Sequence, residues 1–287
     1  MVSYLYIAVA FSPCVLAQQF RYLPVEVSAG QEFSIDSSTE AESVIDVIIP
    51  SKLTIRVPGT APTRTSYKSA LSERIKVLNA DASDIREAEI TFQSIQILFA
   101  EGKSSEKVPQ SANKKPAIVG KLFKLNCATA PPSVTDINDH SVTETDAKLV
   151  AKGCQDFQKL KTLRQVFPRS PLREGESFEL SPGKFPFLGD IEDGTVLNGT
   201  LTVKHIDSAD NASGAIFDAR VTIQPANKVA GAPHNWVGTL QTDAVGRSIK
   251  VDLTRVNDSK VQLGTSSLES KGSVHVKTSL LIDVVSP

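Results

Sequence analysis

Long stretches of this chain place an apolar residue at every second position. Ser72-Glu73-Arg74-Ile75-Lys76-Val77-Leu78 does so, and so does Ala88-Glu89-Ile90-Thr91-Phe92-Gln93-Ser94-Ile95-Gln96-Ile97. A strand turns successive side chains to opposite faces, so the pattern builds one dry face and one wet face. The segment 79–84 between the two stretches is a turn by composition, which makes the pair a β-hairpin. The same texture returns at 201–206 and 216–223 around Asp207-Ser208-Ala209-Asp210-Asn211, and again at 236–240, 248–253, 260–263 and 273–285. The chain therefore reads as mainly β, a β-rich α+β fold built from antiparallel meanders.

One region departs from this texture. Thr143 offers a helix N-cap with Glu144 and Asp146 in the first turn, where acidic groups complement the helix dipole. A helix from Glu144 to Lys152 is expected, with Gly153 as its stop. Phe157, Leu160, Leu163 and Val166 then recur every third residue as a second short helix, ended by Pro168. On either side of this connector the chain opens a β-rich half with the same phrase, Gly30-Gln31-Glu32-Phe33-Ser34-Ile35 and Gly175-Glu176-Ser177-Phe178-Glu179-Leu180. The hairpins 75–92 and 203–223 align, sharing Ala-x-[Ile/Val]-Thr-[Phe/Ile] at 88–92 and 219–223. The pattern predicts two similar antiparallel units, 18–140 and 171–287, joined by a helical segment over 141–170. They either pack together or form one curved sheet.

The N-terminus carries an apolar run from Tyr4 to Phe11, followed by Val15-Leu16-Ala17. This has the form of a secretory signal over 1–17 with cleavage after Ala17, although no Lys or Arg precedes the run. The run is too short to span a bilayer. A buried first strand is the other reading. Cys14 could take a lipid, but Pro13 stands where a lipoprotein signal wants a small residue. Removal of 1–17 leaves Cys127 and Cys154. In an exported protein that pair reads as a disulfide worth about 3 kcal/mol by chain entropy. Two buried thiols are the alternative. Thirty-one Lys and Arg stand against 32 Asp and Glu. No overall field draws nucleic acid or anionic lipid to this chain.

The order of features in the middle of the chain is distinctive: VGKLFKL, then PSVTDINDHSVTETDAKLVAKG, then VFPRSPLREGESFEL. It resembles a group of uncharacterised exported proteins and lipoproteins of myxobacteria and related envelope-rich bacteria. Asn138-Asp139 replaces the usual turn glycine of that group, and Cys127 and Cys154 lie outside its pattern. The resemblance implies export, whether periplasmic, envelope-associated or secreted, and a β-rich fold. It implies no chemistry, because the group has no assigned activity.

Chemical motifs are sparse. The four histidines, His140, His205, His234 and His275, have no zinc-site spacing, and no nucleophile elbow, Walker loop, dinucleotide fingerprint or C-x-x-C occurs. Acidic loops at 136–139, 190–194 and 207–211 could supply calcium oxygens, but none has EF-hand spacing and the same residues simply make turns. No cofactor or metal is expected. His234 and Trp236, in the loop GAPHNW, are the one loop candidate for a site.

The composition and texture point to a non-enzymatic exported envelope protein with a binding or structural role. An antiparallel sheet closed on one side by helices makes an apolar cleft for a lipid or similar ligand. Phe92, Ile95, Ile97, Phe123, Phe157 and Leu160 are its expected lining. The alternative is a module that binds another envelope protein through a sheet edge or loops, with a hydrolase a distant third.

Overall fold

The alternating stretches form strands, and most of them are long. The structure is a computed structural model that describes residues 18–23, 26–48, 63–81, 84–103, 118–129, 132–183, 185, 194–207, 214–226, 233–263 and 266–285. The N-terminal half contributes β1 (Glu32–Ile48), β2 (Thr63–Asp81), β3 (Asp84–Lys103), β4 (Leu122–Asn126) and β5 (Ser133–Asp136). One helix follows, α1 (Glu144–Val166). The C-terminal half adds β6 (Ser177–Glu179), β7 (Gly194–Asp207), β8 (Gly214–Pro225), β9 (His234–Asp243), β10 (Ser248–Leu263) and β11 (Ser266–Val285). The expected secretory signal, Cys14, and the acidic-loop positions 190–193 and 208–211 lie outside the described residues.

All eleven strands join one open antiparallel sheet in the order β5-β4-β3-β2-β1-β11-β10-β9-β8-β7-β6. Each half meanders outward from the centre, and the halves meet where β1 pairs with β11 along its full length, from Glu32↔Val285 to Ile48↔Glu269. One face is dry. Ala215, Phe217, Ala219, Val221 and Ile223 alternate onto it from β8, and Phe33, Ile35, Ile75, Val77, Ile90 and Phe92 from the other half, all in one continuous core.

The helical connector is one helix, not two. Thr143 caps it as expected, its side chain accepting from the Asp146 amide at 3.2 Å. The helix then runs on through Gly153 for 23 residues, about 34 Å of axis. A glycine inside a helix costs about 1 kcal/mol relative to alanine, but it stops the helix only where the backbone turns left-handed. Here Pro168 supplies the stop one residue after the C-cap, Phe167. α1 packs on β3, β4 and β5. Its C-cap reaches the opposite end of the strand order: Phe167 lies 5.5 Å from Phe178 of β6 and 5.1 Å from Phe217 of β8. Phe20 and Tyr22 complete that aromatic cluster, Tyr22 stacking on Phe167 at 5.0 Å. Reciprocal backbone bonds between Phe20 and Leu172 tie the segment down.

The repeated phrase is a repeated device. Gly30 (φ 87°) donates to the Val77 carbonyl at 2.9 Å, and Val77 donates back to Gln31. Gly175 (φ 84°) donates to Val203 at 2.8 Å, and Val203 donates back to Glu176. In both places a bulge follows at once, with Leu78 and Lys204 as the extra residues. This geometry sets Val77 beside Val203, so the alignment that matched Ile75 with Val203 is two residues out of register. Ala88, opposite Val77, corresponds to Phe217, opposite Val203, and not to Ala219. A two-residue slip preserves a period-two pattern and is invisible to it.

Candidate functional site

Cross-strand register arranges the dry face in rows. One row runs Leu240, Val251, Thr278, Thr39, Ser69, Ile97 from β9 to β3. The next runs Gly238, Leu253, Val276, Ala41, Tyr67, Phe99. Both emerge from the core as they approach β3. Leu253 and Val276 are sealed, whereas Tyr67, Ile97 and Phe99 are 37%, 44% and 56% exposed. Tyr67 and Phe99 are direct cross-strand partners, and an aromatic pair of this kind favours a pleated apolar surface. The dry face thus continues past its cover as an exposed apolar strip.

Where this strip meets the core the face turns polar. Thr278, Thr39 and Ser69 stand directly opposite one another on β11, β1 and β2, at 6%, 8% and 6% exposure. The Thr278 hydroxyl is buried and has no hydrogen-bond partner among the described residues. Glu73 lies on the same face of β2, four residues from Ser69, and is 3% exposed. A bulge at Gln93 keeps the apolar phase here: Phe92 pairs with Glu73 and Ile95 with Leu71, so two residues three apart share one face. A buried hydroxyl left unpaired costs about 1–3 kcal/mol. This polar patch was missing from the expected site. Its signal was legible, since Ser69, Glu73 and Thr278 break the apolar phase of their strands.

The residues expected to line one cleft divide. Phe92, Ile95 and Phe123 are core residues, and Ile97 is exposed on the strip. The side chains of Phe157 and Leu160 lie outside the described residues. His234 and Trp236 are not in a loop: β9 begins at His234. Alternation then turns Trp236 onto the dry face, sealed, with the Arg255 guanidinium 5.1 Å from its ring. His234 Nδ1 also contacts Arg255. Cys127 is disulfide-bonded, and the side chain of Cys154 on α1 lies outside the described residues.

The wet face carries ion-pair ladders. Lys68 meets Glu40 at 2.9 Å, Lys277 meets Asp252 at 3.5 Å, and His275 Nε2 meets Asp252 at 2.6 Å. Two shallow grooves of about 430 and 350 Å³ lie along these charges. The turn after β5 is held by Asp136, whose Oδ1 accepts from the amides of Asn138 and His140 at 2.8 and 2.9 Å. Those bonds, the His140 amide first, hold its carboxyl below the usual range. Glu174 is lowered likewise, chiefly by the Ile206 amide. Burial, and then the charge of Asp243, pushes the Tyr22 phenol well above its ordinary value. Among the described residues no group of three or more His, Cys, Asp or Glu side chains could hold a metal ion. Nor is any described helix long and apolar enough to cross a membrane.

No protein-family model matches the chain, and no curated protein matches it. Among the solved structures that match, two align over most of its length. One is an acetoacetate decarboxylase-like enzyme from Sphingomonas wittichii RW1, at 8% identity, covering 91% of this chain and 99% of that one with a TM-score of 0.13. The other is the enduracididine biosynthesis enzyme MppR, complexed with the condensation product of pyruvate and imidazole 4-carboxaldehyde. It has 9% identity, 90% coverage of both chains and a TM-score of 0.13. Similarity at that level supports no argument about fold or chemistry.

Proposed function

We propose that this chain is an exported, non-enzymatic binding protein of the cell envelope that holds an apolar ligand where its dry face leaves the core. The observation that carries the reading is the strip of Tyr67, Ile97 and Phe99. It continues two rows of the dry face, one of them through the hydroxyls of Thr278, Thr39 and Ser69, and is left open to solvent. Apolar surface of that kind on one face is costly to leave wet and favours an apolar occupant. The disulfide at Cys127 supports an oxidising compartment. Its proposed partner is Cys154, on the helix that packs against β4 beside Cys127.

A second reading, a protein-interaction module, rests on β3. Past Phe92 that strand has a ladder partner on one side only among the described residues, and a free edge can accept another chain's strand. The strands that end the sheet order are four and three residues long and offer little.

Native mass spectrometry of the full chain, purified without detergent, separates the two. A co-purifying apolar mass released on denaturation is the expected result, with less of it on Phe99→Asp. A bare protein that also takes up no offered hydrocarbon would end the carrier reading, and a mass of stoichiometric protein partner would favour the second.

A further inference from the structure

We infer that the hydroxyl row Thr278, Thr39 and Ser69 holds the polar head of the ligand, and that the ligand is a neutral single-chain amphiphile of the monoacylglycerol kind. This rests on the carrier reading and adds where the head sits and what charge it bears. Three adjacent central strands place the hydroxyls opposite one another, about 4.5–5.5 Å apart at Cβ. Folding alone does not ask for them. Valine fits the same pleat as threonine with no polar group to desolvate, yet position 278 carries a sealed hydroxyl with no partner among the described residues. A ligand oxygen seated on the row supplies that partner. Hydroxyls both donate and accept, which suits an ester carbonyl or an alcohol equally.

The tail has a place as well. The row itself ends one strand beyond Ser69 at Ile97, and Tyr67 and Phe99 lie in the next row. A chain leaving the hydroxyls toward β3 therefore runs onto the exposed apolar strip. The charge of the head follows from the row, which presents hydroxyls and no cation. Arg255 lies on the same face two rows away, and its guanidinium is over Trp236 and against His234. A neutral head is satisfied by the hydroxyls and needs no cation.

The test is equilibrium binding of radiolabelled monoolein, oleate and hexadecane to the full chain, wild type and variants. Monoolein is expected to bind tightest. Thr278→Val is expected to weaken monoolein about fivefold, one hydrogen bond's worth, and to leave hexadecane unchanged. Thr278→Ser, which keeps the hydroxyl, restores wild-type binding, and thermal melts confirm that both variants fold. Unchanged monoolein binding by Thr278→Val, with wild-type affinity for hexadecane, overturns the head site and leaves the carrier reading standing. Oleate binding tighter than monoolein overturns the neutral head. Failure of all three probes to bind overturns the carrier reading itself.

Discussion

Gly30 and Gly175 show how much a single residue decides. Each has a positive φ that an L side chain adopts only under strain, and each uses its amide to start a strand against a valine carbonyl. An added Cβ would meet nothing within 4 Å at either site. The cost of alanine is therefore conformational alone. Gly30→Ala and Gly175→Ala are each expected to lose about 1 kcal/mol in chemical denaturation. Near-equal losses would bear out one shared device, and a loss at only one site would separate them. The two-residue error in aligning the hairpins belongs to this scale too. Alternation fixes which face a side chain takes but not which partner it meets, and only the Val77 and Val203 hydrogen bonds set the register.

Among the elements, the turn between β5 and α1 and the helix itself teach different lessons. The composition of Asp136-Ile137-Asn138-Asp139 marked the turn, and the structure supplies its mechanism, a carboxylate gathering two amides with Asp139 at φ 64°. The folded carboxyl of Asp136 titrates below its ordinary range, so its contribution is present above that range and lost as pH falls through the lowered value. Asp136→Asn should therefore show a shallower acid-side loss of stability than wild type between about pH 5 and pH 2, read as the denaturant midpoint at each pH. An unchanged slope would remove the turn from the acid response. For α1 the cap was legible and the length was not. Glycine often ends helices, which makes Gly153 look like a stop, yet the helix runs through it onto β3, β4 and β5.

At the scale of the whole molecule the seam matters most. β1 and β11 come from opposite ends of the chain and pair over the full length of β1. Dry-face residues of both halves belong to one core, and Phe167 ties the helix to β6 and β8. Unfolding should therefore be a single transition. Phe92→Ala in one half and Phe217→Ala in the other are each expected to cost about 3–5 kcal/mol and to shift far-UV and near-UV signals together. Two separated transitions would mean that the halves fold as independent units.

The sequence by itself determined what local chemistry can fix. Period two set the strands and their two faces, capping set the start of the helix, and turn composition set the hairpins. It also carried the polar break at Ser69, Glu73 and Thr278, although as residues far apart in the chain. Tertiary structure alone decided that the halves share one sheet, that β1 lies at its centre while β6, with the same opening phrase, lies at its edge, and that Thr278 stands opposite Thr39. These are pairings between residues up to about 250 positions apart. A side chain's own pattern states whether it seeks water, but the partner it finds depends on which surfaces the rest of the chain brings to it.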